Sequence, residues 1–104
     1  MELLEHVYDK LAEMSWNFTY REFSEIYLGR SGSYFSYLNT TGNPPSAEVM
    51  LNLWRELIKD REKYILLKSQ SQCAKEQEMF GGWIDIYIQL ADDVSNFLKG
   101  SCAP

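Results

Sequence analysis

The stretch FSEIYLGRSGSYFSYLNTTGNPPS, residues 23–46, decides how this chain is read. It holds a helix-like run ending in Leu28-Gly29, a serine-rich joint, a second short aromatic run, and a break at Gly42-Asn43-Pro44-Pro45. A glycine just beyond an apolar run fits a helix C-terminus, which commonly needs left-handed backbone. Ser31 is placed as the N-cap of the next helix. Gly29 and Ser31 are thus the expected structural turn, and a short helix is predicted over about 32–39. Phe35 and Leu38, three apart, point inward together, which leaves Ser33, Ser36, Tyr37 and Asn39 on the other side.

The flanking sequence is also helical in pattern. Leu3, Leu4, Val7, Tyr8, Leu11 and Met14 form one apolar stripe over residues 2–15. Thr19 with Glu22 three residues later is a capping-box pattern opening a second helix, with Phe23, Ile26 and Tyr27 available to a core. Ser46 is an N-cap for a fourth helix carrying Val49, Met50, Leu53, Trp54, Leu57 and Ile58, extending toward Leu67. Gln70 to Gln77 suit either helix or loop. Gly81-Gly82 is expected to break the chain before a last helix over 83–98, with Trp83, Ile86, Tyr87, Leu90, Val94 and Phe97 on one side. WIDIYI at 83–88 also alternates, so a strand competes there; helical spacing through Leu98 favours the helix. The GSCAP tail is expected to fray. The expected fold class is all-α, a compact five-helix bundle.

Composition narrows the function classes. A chain of 104 residues is one domain, and seven Tyr, five Phe and three Trp argue against disorder throughout. No apolar run is long enough to cross a bilayer, and the acidic, amphipathic N-terminus does not read as a secretory signal. Cys73 and Cys102 lack metal-ligand spacing, so a reducing, cytoplasmic setting is expected, with no metal and no cofactor. The net charge of −5 opposes broad non-specific attraction to nucleic acid. The charge is uneven. Residues 55–75 hold six Lys/Arg against three acids, a net +3, and residues 76–99 hold one Lys against five acids, a net −4. Solvated helix faces account for that division. His6 is the only histidine and reads as a surface residue. Asp92 and Asp93 are adjacent and point to different sides of a helix. With no Ser-His-Asp, HExxH, P-loop or GxGxxG pattern, no catalytic residue is assigned.

The order of capped helix, Leu-Gly, serine joint, short helix, Gly-x-Pro-Pro-Ser and amphipathic helix resembles the Cro/C1 (XRE-like) helix-turn-helix domain. More narrowly, FSEIYLGRSGSYFSYL followed by PPSAEVMLNLWREL is similar to a group of small bacterial and phage proteins with an LGRS-x-SY motif. The resemblance covers roughly residues 3–60. It implies a helix-turn-helix core at 1–62, and residues 63–104 then form a C-terminal helical extension within one domain. It also implies duplex DNA as partner. The readers would be Gly32, Ser33, Ser36, Tyr37 and Asn39, with Arg30 near a phosphate and Thr19, Tyr20 and Arg21 at the backbone. Helix two carries one residue more before Leu28-Gly29 than typical members, and its recognition helix has no Lys or Arg. The extra C-terminal helix offers surplus apolar surface, so a homodimer is expected through Trp83, Ile86, Tyr87, Leu90 and Val94. The alternative is a non-catalytic module on the same scaffold that binds a protein.

Overall fold

The computed structural model describes residues 2–102. Five helices form an all-α bundle, and no strand occurs among the described residues. Helix α1 (Glu2–Met14) buries Leu4, Val7 and Leu11. Asn17, in left-handed backbone at φ 67, turns the chain after it. Helix α2 (Tyr20–Glu22) is capped by Thr19, whose hydroxyl accepts the Glu22 N–H at 3.2 Å. It runs straight into a π-helical stretch, Phe23–Tyr27, in which the Leu28 N–H reaches back five residues to the Phe23 carbonyl at 3.1 Å. Helix α3 (Tyr34–Thr41) closes on Gly42 at φ 71, with the Gly42 N–H on the Leu38 carbonyl. Helix α4 (Ala47–Gln70) is capped by Ser46, which accepts the Val49 N–H at 3.3 Å. A three-residue turn leads to α5 (Ala74–Cys102). The Ser71 hydroxyl bonds the Glu76 carboxylate at 2.9 Å there, and the Gln77 amide donates to the Ser71 carbonyl at 2.7 Å.

The core joins α1, the π-helical stretch, α3, α4 and α5. Leu4, Val7, Phe23, Leu28, Phe35, Leu53, Leu57, Leu90 and Val94 are buried together. At its N-terminal side Tyr8, Phe23 and Phe35 meet edge to face or tilted, with ring centroids 4.9–5.7 Å apart. Such pairs add about 0.5–1.5 kcal/mol each beyond area burial. The Tyr8 hydroxyl donates to the Phe18 carbonyl at 3.0 Å, tying α1 to the following turn.

Two expectations change. Gly81-Gly82 does not break the chain; α5 passes through both residues, and WIDIYI is helix. Glycine in a helix costs only about 1 kcal/mol, and α5 is held against α4 along the length of an antiparallel hairpin. A Cβ at Gly81 would meet only the end of the Lys68 side chain of α4, with Nζ at 3.2 Å, and one at Gly82 would meet nothing within 4 Å, so neither glycine is required by packing. Helix α3 also begins two residues later than expected, at Tyr34. Fraying of the GSCAP tail concerns residues that lie partly outside those described. Cys73 is a free, exposed thiol. No described helix is long and apolar enough to cross a membrane.

Candidate functional site

The surface built from residues 29–41 owes its shape to three contacts. Gly29 has φ +66, the left-handed conformation the turn needs. Beyond it the Arg30 N–H bonds the Ser24 carbonyl at 3.0 Å, so the helix end is closed by backbone. A Cβ on Gly29 would come within 2.9 Å of the Asn52 amide, which donates to the Leu28 carbonyl. The third contact comes from Ser24, which is fully buried. Its hydroxyl donates to the Tyr20 carbonyl at 2.9 Å and accepts the Phe35 N–H at 3.0 Å.

That last bond replaces the expected cap. Ser31 does not cap α3. Ser33 occupies the N-cap position with no side-chain cap bond, and the free amide of the first turn is met from the π-helical stretch instead. Because the partner lies eleven residues upstream, α3 starts where Ser24 can reach it.

Phe35 and Leu38 are buried, as their spacing requires. Ser33, Ser36, Tyr37 and Asn39 are exposed, Tyr37 at 53%. Gly32 and Ser33 lie before α3, in the joint. Gly32 is pressed against the Arg21 and Glu25 side chains, where a Cβ would meet Arg21 Cγ at 2.7 Å. Both arginines at this surface are paired: Arg21 Nε with Glu25 at 3.0 Å and Arg30 with Glu48 at 3.6 Å. Thr40 and Thr41 turn their hydroxyls onto the Ser36 and Tyr37 carbonyls, both at 2.9 Å. The outward face of α3 is therefore uncharged and rich in hydroxyls.

The expected dimer surface is corrected. Tyr87, Leu90 and Val94 are buried in the protomer's own core, and Trp83 and Ile86 pack against it. The stripe is apolar because α5 completes the bundle. The apolar side chains left to solvent on the hairpin include Ile65 (43% exposed) and Ile88 (44%), with Ile84 beside Ile65 around a shallow hollow.

A second site escaped the sequence reading. A cavity of about 260 Å³ opens between α1, the π-helical stretch and the hairpin. Asp60 lines it, and its Oδ2 accepts a hydrogen bond from the Tyr27 hydroxyl. Burial pushes the Asp60 carboxyl above the usual carboxylate range, against the Tyr27 bond and the Lys63 charge, which pull it down. Burial likewise raises Tyr27 and Tyr87, each next to Asp60, so both phenols stay protonated. Phe18, Tyr64 and Trp83 wall the cavity, with Glu22 and Lys63 at its edge. The signal was present: Leu53, Leu57, Asp60 and Tyr64 fall on one helical stripe, and a carboxylate interrupts it. No group of His, Cys, Asp or Glu fit to hold a metal ion occurs among the described residues.

The family model for DUF6626, a family of unknown function, matches residues 4–93. The chain belongs to that family. The match runs from α1 through the Gly29 turn, α3 and α4 into α5, so DUF6626 takes in both the α3 surface and the Asp60 cavity. No curated protein and no solved structure matches the chain.

Proposed function

We propose that this protein binds duplex DNA through the outward face of α3, as a small transcriptional regulator of the helix-turn-helix type. The observation that carries the reading is the division of α3. Phe35 and Leu38 are locked in the core, and Ser36 and Tyr37 are held outward on a helix whose first turn is fixed by Ser24. A recognition helix needs that rigidity, with hydrogen-bonding side chains free to reach base edges. The π-helical stretch supports the resemblance too, because a π turn houses one residue more than an α turn, ahead of Leu28-Gly29. Residues 1–62 act as the reading unit in this proposal and 63–104 as its support.

The proposed regulator pairs as a homodimer through the hairpin flank at Ile65, Ile84 and Ile88. The second half of α4 is basic and α5 is acidic. A two-fold axis along the hairpin sets each α4 against the partner's α5 and leaves both α3 helices at the same end.

A second reading, a protein-binding module, is favoured by one observation: Arg21 and Arg30 are already paired with Glu25 and Glu48, which leaves the α3 face short of free cations for phosphates. Selection of bound sequences from random duplexes separates the two. DNA binding yields an enriched motif whose affinity falls steeply with salt and is lost in Tyr37→Ala with the helical content intact. No enrichment and no retardation of duplex at low salt removes the DNA reading.

A further inference from the structure

We propose that the Asp60 cavity is a binding site for a small organic cation, an ammonium group carried on a hydrocarbon or aromatic body. The proposal is independent of DNA binding.

Asp60 is the group that sets the chemistry of the cavity. Its position falls on the otherwise apolar α4 stripe of Leu53 and Leu57, yet a half-buried carboxylate stands there. Its Oδ2 is taken by Tyr27. Asp60 has no ion-pair partner within 4 Å among the described residues, so its partners on the protein side are phenol hydroxyls and not a cation. A carboxylate removed from water in this way is stabilised by an opposite charge.

The walls select the kind of charge. Tyr64 stacks with Tyr87 at 5.6 Å and meets Trp83 edge to face at 5.2 Å, so aromatic rings line the way to Asp60. Aromatic faces attract cations. The protein's own Lys63 illustrates this, its Nζ lying 5.5 Å from the centre of the Tyr64 ring. An anion would meet Asp60 and Glu22 with only Lys63 in its favour. A neutral molecule would leave the carboxylate unpaired.

Size sets the class. At about 260 Å³ the cavity falls just below the roughly 300–1,000 Å³ of pockets that hold drug-sized molecules. A monoamine with a short or single-ring body fits, with its ammonium at the Asp60 carboxylate and its body against Phe18, Tyr64 and Trp83. Tyr27 holds the carboxylate through its hydroxyl.

The test uses the full chain with 2-phenylethylammonium and its uncharged counterpart 2-phenylethanol at matched ionic strength. Binding is followed by tryptophan fluorescence and by amide and indole NMR shifts. Saturable binding of the ammonium, at least tenfold tighter than the alcohol and mapping to Tyr64, Trp83 and Tyr87, is expected. Asp60→Asn should weaken it tenfold or more, and Lys63→Ala should leave it unchanged or tighter. Equal binding of the two probes, shifts that map elsewhere, no saturation, or full affinity in folded Asp60→Asn would each overturn the proposal. If Asp60→Asn does not fold, Trp83→Leu reads the aromatic wall alone, and unchanged affinity in that variant counts equally against the site.

Discussion

Ser24 and Phe35 are joined across the turn by a single hydrogen bond of 3.0 Å, from the Phe35 N–H to a hydroxyl with no solvent contact. The same hydroxyl is bonded to its own helix through the Tyr20 carbonyl. One oxygen therefore links the first residue of α2 to the first turn of α3. Removing it strands a buried N–H, which costs about 1–3 kcal/mol. Ser24→Ala should lower stability by that amount in urea denaturation. Ser33→Ala, at the nominal cap but with no cap bond, should change it by less than about 0.5 kcal/mol.

Gly29 is the second position where the turn is fixed. An alanine there must adopt left-handed backbone, which costs roughly 1–2 kcal/mol, and its Cβ meets the Asn52 amide at 2.9 Å. Gly29→Ala should cost more in the presence of Asn52 than in an Asn52→Ala background. A double-mutant cycle measured by thermal unfolding gives the coupling, and strict additivity would show that the amide yields freely.

Asp60 gives stability a definite dependence on pH. Its carboxyl is raised in the folded chain relative to the unfolded one, so the folded state holds the proton more tightly. The corresponding contribution is fully present below the unfolded carboxyl value and is lost as pH rises through the folded one. Asp60→Asn should remove that component. The difference in unfolding free energy between variant and parent should then shift in favour of the variant as pH rises from about 3.9, the ordinary aspartate value, toward neutrality. A difference that does not vary with pH would contradict the burial of this carboxyl.

The proposed pairing of hairpins predicts that Ile65→Asp with Ile84→Asp gives a monomer in light scattering while helical content is kept. Leu90→Asp should instead unfold the chain, because Leu90 is buried in the protomer core. Buried apolar-to-small changes alone cost about 2–5 kcal/mol, and a buried unpaired charge costs more.

If DNA is the partner, Arg30→Ala should weaken all sequences alike and reduce the salt slope by about one, the signature of a phosphate contact. Ser36→Glu should abolish binding outright. Filter binding over a salt series distinguishes the two behaviours.

What was legible in the sequence follows the range of the interaction involved. Thr19, Gly29 and Ser46 act on backbone within a few residues, and each does what its local pattern implies. The apolar stripes were legible for the same reason. Periodicity marks a buried face but not what covers it, so Tyr87, Leu90 and Val94 read as spare surface when they complete the core. Gly81-Gly82 reads as a break because local propensity is weighed there without the neighbouring helix. Ser24 and Asp60 were the least visible, because the partner of each lies on another helix.

The π-helical stretch has a consequence for changes in chain length. In an ordinary α-helix, one inserted residue swings everything beyond it by about 100° around the axis. A widened turn absorbs the insertion on the spot, so Thr19 on one side and Gly29 on the other keep their facing. Deleting the exposed Ile26 should accordingly tighten the turn to α geometry while Ser36 and Tyr37 go on pointing where they point now. The widened turn between Thr19 and Gly29 thus gives this joint room to lose one residue without turning α3.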